Sequence, residues 1–249
     1  MQSSIPILSS AEIKKMKKAG QIAAELKCLL IKKAQPGVTT QELDTSAEEF
    51  IRQQGATPAF KGYHNYPATL VTSINEQVVH AIPSQRQLKE GDLLTIDLGA
   101  NWQGYNSDTA ISFVVGEPEK ETRFLLAGKT ALDSAIAQCR PGKHIGDISY
   151  TIQNAIEKAG YSVVRIFTGH GIGREVHQPP EIPCFGEKGT GPELLEGVGL
   201  AVEVMYTKGS AELKILEDRW TAVTTDGKLS SHFEDTVIVT ADKPLITTR

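Results

Sequence analysis

The sequence is poor in cysteine, lacks long apolar runs and carries no excess of positive charge, and each shortage removes a class of protein. Its 249 residues hold three cysteines, Cys28, Cys139 and Cys184, an odd and widely spread set without a C-x-x-C pair. Neither a disulfide framework nor a cysteine zinc site is indicated, and the pattern suits a reducing compartment. No run approaches the ~20 apolar residues of a membrane span. The opening MQSSIPILSS has neither the basic start nor the continuous apolar core of a signal peptide, so a cytoplasmic location is expected. Lys and Arg number 26 against 30 Asp and Glu, a formal net charge of −4 that gives no electrostatic footprint for nucleic acid or an anionic membrane. With 40% hydrophobic and 22% charged residues, the chain can bury a full-sized core as one large domain or two fused halves.

Against these absences stands residues 88–108, LKEGDLLTIDLGANWQGYNSD, which reads as a β-hairpin with one aspartate on each strand. Leu93, Leu94, Ile96 and Leu98 are strand-like, NWQG supplies turn residues, and residues 107–115 supply the return. Asp97 and Asp108 thus sit in or beside β-structure, where an unpaired buried carboxylate costs several kcal/mol. Either a cation or partner awaits them, or both cap a solvated hairpin.

An internal echo bears on that choice. LKEGDLLTIDL around Asp97 returns as LLEGVGLAVEV around Glu203, with 196 − 90 = 106 and 203 − 97 = 106 for the matching Glu-Gly and acidic positions. Helices are expected at residues 10–34, then from the capping box Thr39-Thr40-Gln41-Glu42 to just before Gly55. The first carries Lys14, Lys15, Lys17 and Lys18 on its solvated face. Strand signals follow over residues 69–80. The second half repeats this grammar with helices at 122–138 and 145–158, and Pro36-Gly37 and Gly55 recur as Pro141-Gly142 and Gly160, where 141 − 36 = 105 and 160 − 55 = 105. A single repeat of this length is a duplicated domain rather than a solenoid, with halves at about 1–120 and 121–249.

Residues 163–167 read as a short strand running into Thr168-Gly169-His170-Gly171-Ile172-Gly173, whose glycines allow close backbone approach around His170. His177 follows seven positions after His170, a spacing that matches no helical zinc motif. A final hairpin is expected to run over 200–205 and return through Trp220-Thr221-Ala222-Val223 and, after Thr225-Asp226-Gly227, through 232–240; of Glu234 and Asp235 in that last strand one points inward while the other faces water. If Glu234 is the inward one, the inventory is Asp97, Asp108, His170, Glu203 and Glu234. Four carboxylates and a neutral imidazole carry −4, which two divalent cations balance. Oxygen-rich ligation with one imidazole suits Mn, Fe, Co or Zn in the two-metal class, and such ions lower the pKa of bound water, so the implied chemistry is hydrolysis.

SINEQVVHAIP, LKEGDLLTIDLGANWQGYNSDT, TGHGIGREVHQPPEIP, LLEGVGLAVEV and LSSHFEDTVIVT occur in that order over most of the chain. Together they resemble the type I methionine aminopeptidases of the pita-bread metallopeptidase superfamily. The resemblance implies an α+β pita-bread fold, two pseudo-symmetric helix-helix-hairpin halves around a curved antiparallel sheet. It places a dinuclear site on Asp97, Asp108, His170, Glu203 and Glu234. It also implies roles that spacing does not reach: His80 near the scissile amide nitrogen, His177 polarising the scissile carbonyl, and Glu203 as ligand and general base or proton shuttle. Tyr63, His64, Tyr66 and Trp220 match residues around a methionine pocket, where aromatic walls suit a thioether.

The implied function is a metalloexopeptidase that removes the initiator methionine from nascent polypeptides with a small second residue, chosen by steric exclusion. It would act as a monomer, at the ribosome, with no specific nucleic acid and no membrane as partner; without zinc-ribbon cysteines or a long N-terminal extension, any docking there falls to the catalytic domain itself. The chain departs from the usual family pattern at Asn106, Ser107, Val79, Ala81, Val204 and Asp235, and at Phe60 and Val71, where cysteines often line the pocket. Val204 replaces a proline beside the expected base, and Asp235 is expected to add charge near the metals. Two alternatives stand beside this reading, an Xaa-Pro peptidase of the same fold and a non-catalytic binding protein that kept it.

Overall fold

Capping residues and glycines divide the chain, and in the computed structural model, which describes residues 5–249, the elements begin where those signals fall. Part of the expectation about a leader rests on residues 1–4, outside the described residues. The first half runs α1 (Ser10–Lys33), α2 (Thr40–Gln53), β1 (Thr57–Pro58), a 3-10 turn (Tyr63–Asn65), β2 (Leu70–Ile74), β3 (Gln77–Val79), β4 (Leu93–Trp102) and β5 (Tyr105–Val114). The second runs α3 (Thr122–Ile136), α4 (Ile145–Lys158), β6 (Ser162–Val163), β7 (Thr168–Gly171), β8 (Gln178–Pro183), β9 (Gly199–Thr207), β10 (Leu213–Ile215), β11 (Ala222–Thr224), β12 (Ser230–Ile238) and β13 (Leu245–Ile246).

Ser9 and Glu12 close a capping box on α1, and Thr39 and Glu42 do the same for α2, each pair satisfying backbone donors that a helix start leaves free. Met16, Ala19, Ile22, Ala23, Leu26 and Leu30 form the buried stripe of α1. Each fully buried Leu or Ile of this kind is worth about 1.5–3 kcal/mol, enough to hold the helix on the sheet. No helix among the described residues is long and apolar enough to cross a membrane.

The main sheet has the order β1-β4-β5-β12-β9-β7-β8, with β2 also on β4, and β6 also on β9. All its pairs are antiparallel. The α1 helix packs on β4 and β5, and α3 on β9 and β12, so each half backs its own strands. Pseudo-symmetry extends to register: Thr57 pairs with Asn101 and Ser162 with Thr207, where 162 − 57 = 105 and 207 − 101 = 106. Each half has its own core, Leu26, Leu30, Leu43, Ile51, Leu70 and Ile96 in one and Ile148, Ile152, Ile156, Leu200, Val202 and Tyr206 in the other. This is the pita-bread architecture expected.

Two expectations change. The strand foreseen at 163–167 ends at Val163, because Arg165 and Ile166 turn out to solvent. The return foreseen through residues 220–223 joins no strand of the main sheet: β11 pairs with β10 and β3 in a separate three-stranded sheet. The glycine-rich stretch is a sheet strand, β7, between β8 and β9. A Cβ on Gly169 would lie 2.6 Å from the Ala201 carbonyl oxygen, which is the close backbone approach expected of these glycines.

The halves meet at β5 and β12, whose register contains the pair Glu234 and Ala110. Hydroxyls stitch this seam. Thr236 Oγ1 accepts from the Asp108 N–H and donates to the Asp108 carbonyl, both at 2.8 Å. Ser112 Oγ accepts from the His232 N–H at 2.9 Å and donates to its carbonyl at 3.0 Å. Thr109 Oγ1 donates to the Glu234 carbonyl at 2.8 Å.

Candidate metal centre

Strand register gathers the acidic residues. Asp97 of β4 pairs with Ala110 of β5, Ala110 with Glu234 of β12, and Glu234 with Glu203 of β9, forming one row across four strands. Two residues away on the same face, Asp108 lies opposite Gly99, and Ala201 lies opposite His170. The other members of these rows, Gly99, Ala110, Ala201 and Thr236, are small, so no bulk competes with the donors. His170 Nε2 lies 3.4 Å from Glu203 Oε1 and 3.8 Å from Asp108 Oδ2. Its Nδ1 is 2.9 Å from the Gly171 carbonyl, which holds the proton there and leaves Nε2 free to ligate.

This cluster is expensive without a cation. All five residues are buried, and Asp97 Oδ1, Asp108 Oδ1 and Glu234 Oε1 have no hydrogen-bond partner. Burial pushes the Asp97 carboxyl up to about 7 and that of Glu203 up to about 8. Burial, then the neighbouring carboxylates, drives Asp108 and Glu234 well above the carboxylate range. Burial likewise draws the His170 imidazole down to about 3. Orphaned carboxylate oxygens facing unprotonated nitrogens are a donor set that fits divalent cations. Donor atoms converge within 4.8 Å in three groups, Asp108 with His170 and His177, His170 with Glu203 and Glu234, and Asp97 with His232 and Glu234, so Glu234 belongs to the last two.

His232 was not foreseen. It sits two residues before Glu234 on β12, and strand alternation turns both to the same face. On this strand the resemblance assigns a ligand role to Glu234 alone, although the period of two in HFE carries the signal. Asp235 behaves otherwise than expected. It faces neither water nor the carboxylates but the helical side, where Thr248 Oγ1 donates to it at 2.8 Å and Arg249 Nε at 2.7 Å, with Lys27 Nζ at 3.6 Å. Its charge is therefore matched locally. Val204, also one step off the site-facing phase, is packed in the second-half core. Asn106 donates to the Gly173 and Arg174 carbonyls, and Ser107 to the Ala100 carbonyl, so these departures serve the scaffold.

The carboxylates floor a cavity of about 600 Å³, and Tyr63, His64, Tyr66, His80, His177 and Trp220 all line it. Tyr66 is buried, donating to the Leu70 and Ala81 carbonyls at 2.8 and 3.2 Å, and its ring meets Trp220 edge-on at 5.1 Å. Phe60, Val71, Val79, Phe167 and Met205 complete an apolar wall that, apart from Phe60 and Val71, was not foreseen. His80 packs edge-on against Phe167 at 5.2 Å, in a left-handed backbone conformation (φ 60°) that a non-glycine residue adopts at a cost of about 1–3 kcal/mol. Burial draws its imidazole down to about 4. His177 lies over His170 with ring centroids 4.1 Å apart, and its Nδ1 is 3.2 Å from Tyr63 Oη. Desolvation of the ring, then the imidazoles of His80 and His64, lower its pKa, although the residue opens to solvent at the cavity mouth. His64 is exposed at the rim.

Buried oxygen donors and imidazoles at the centre of a pseudo-symmetric, helix-backed sheet are the arrangement of the pita-bread metallopeptidases. The model of metallopeptidase family M24 matches residues 14–241, and the chain belongs to that family. A methionine aminopeptidase of Clostridium perfringens is 47% identical over 238 residues, covering 95% of this chain and 96% of that protein. Methionine aminopeptidase 1 of Bacillus subtilis is 42% identical, covering 90% of this chain and 91% of that protein. The crystal structure of methionine aminopeptidase from Thermotoga maritima superposes with a TM-score of 0.96 at 39% identity, covering 99% of this chain and all (100%) of that one. The prolidase from Pyrococcus horikoshii superposes at 0.79 with 25% identity, covering 98% of this chain but 63% of that one.

Proposed function

We propose that the protein is a metal-dependent aminopeptidase that releases the N-terminal methionine of nascent polypeptides whose second residue is small. The observation that carries this reading is one cavity with two unlike ends, orphaned carboxylates at its floor and an aromatic and aliphatic wall beside them. Near-full-length likeness to proteins named methionine aminopeptidases supports it. Asp97, Asp108, His170, Glu203 and Glu234 would hold two divalent ions of the Mn, Fe, Co or Zn group. Bound there, such ions supply Lewis acidity to the scissile carbonyl and lower the pKa of water.

The remaining work falls to side chains. Tyr66, Trp220, Phe60 and Val71 embrace the thioether, and Tyr63 and His64 border the entrance. His80 holds the scissile amide nitrogen. The Tyr63 hydroxyl donates to His177 Nδ1, which fixes the proton on Nε2 and lets that N–H bond the scissile carbonyl oxygen. Glu203 accepts a proton from the attacking water and passes it to the leaving amine. The chain acts as one catalytic domain built from two duplicated halves, and its substrates are polypeptide N-termini emerging from the ribosome into the cytoplasm, met by a monomer.

The test is release of free methionine from Met-Ala-Ser by apo-protein reconstituted anaerobically with Mn, Fe, Co or Zn, with Met-Lys-Ser and an Xaa-Pro peptide alongside. Release from Met-Ala-Ser alone is the expected result. Preference for the Xaa-Pro peptide, or no hydrolysis with two metals bound, overturns the reading.

A further inference from the structure

His232 is the one imidazole at the carboxylate floor that the five-ligand set leaves without a task. It is 2% exposed, its Nε2 has no hydrogen-bond partner, and that atom is 3.4 Å from Glu203 Oε2 and 3.6 Å from Glu234 Oε2. It shares a convergent donor group with Asp97 and Glu234, separate from the two groups that contain His170. Its backbone is pinned from both sides by Ser112 Oγ, and the hydroxyls of Thr95 and Ser112 are 2.7 Å apart, so the ring is carried on a fixed strand segment.

A structural role for this ring would require a partner at Nε2, because a buried polar atom left unpaired costs about 1–3 kcal/mol. The two nearest acceptors stand beyond ordinary hydrogen-bond contact, as would be expected of ligands spaced around a cation they share. Resting on the dinuclear reading above, we infer that His232 is a sixth metal ligand, acting through Nε2 on the Asp97 side of Glu234. Each metal position then has one imidazole, His170 on one and His232 on the other, with Glu234 common to both. The added nitrogen donor moves the site's preference away from oxygen-loving Mn toward Zn, Co and Fe.

Zinc X-ray absorption on the full-length protein loaded with two equivalents counts imidazoles directly, without reference to turnover. One imidazole per zinc is expected in the wild type and one per two zincs in His232→Gln. Competition between Zn and Mn, read by metal content after dialysis, should fall at least about tenfold in Zn preference in that variant. The wild-type count stands even if the variant folds poorly. Two bound zincs sharing a single imidazole in the wild type would overturn the His232 assignment alone. Failure to take up two zincs would overturn the dinuclear reading and this inference with it.

Discussion

Stripped of metal, the protein should lose stability as pH rises from 6.5 to 8. A carboxyl whose pKa is higher folded than unfolded holds an extra proton in the native state, so its stabilising contribution is present at low pH and disappears as pH climbs to the folded value. Glu203, lifted by burial from 4.5 to about 8, spans the whole window. Over 1.5 pH intervals that group alone is worth about 2 kcal/mol, and for a chain of this size each kcal/mol moves Tm by about 2–4 °C. Asp108 and Glu234 act in the same direction. Buried histidines have the opposite sign: His80 and His170, drawn from 6.5 down to about 4 and about 3, favour the folded state as pH rises, but only below 6.5. Below that point the two sets oppose each other; above it only the carboxylates remain. Thermal melts in EDTA at half-unit pH intervals should therefore fall by at least about 4–8 °C between pH 6.5 and 8. Melts saturated with Mn should be flat there, because bound cations keep the carboxylates ionised. An EDTA series that is flat or rises would refute the reasoning.

Asp97→Ala or Glu234→Ala should abolish binding of a second metal in equilibrium dialysis and peptide hydrolysis with it, whereas His177→Ala should keep the metals and lose turnover; an active Asp97 variant sinks the ligand assignment. Gly169→Ala should push β7 from β9, destabilising by about 1–3 kcal/mol in urea titrations and weakening metal binding through His170 and Glu203; an unchanged midpoint contradicts the close approach. Asp235→Ala should cost about 3 kcal/mol, the low end for a broken buried pair since Arg249 is partly open to solvent, while leaving metal stoichiometry intact. Loss of a metal in that variant would return Asp235 to the site.

The sequence announced the scaffold where local chemistry decides structure. The Thr39 to Glu42 box set the start of α2, and the apolar period over 145–158 matched α4 at both ends. Asp97 and Asp108 were legible because carboxylates in strands demand an explanation. The close approach at TGHG was legible from its glycines, but its place between β8 and β9 was not, because those partners come from elsewhere in the chain. Nor was the cover over Asp235, supplied by α1 and by the residues after β13, far away in sequence. The apolar wall was only partly legible, for Val79, Phe167 and Met205 are ordinary core residues until the fold turns them to one cavity.

The hydroxyl seam between β5 and β12 has a consequence for how the molecule keeps its alignment. Backbone ladders accept almost any side chain, so a strand joined only that way can slide by two residues and still pair. At this junction, Ser112, Thr236 and Thr109 each recognise one residue on the opposite strand, and a slide would forfeit all five of their bonds at once. The junction is keyed rather than zipped. Since Asp97 and Asp108 come from one half and Glu203 and Glu234 from the other, that key sets how far apart the opposing charges stand, with an accuracy that belongs to three small side chains and not to the sheet.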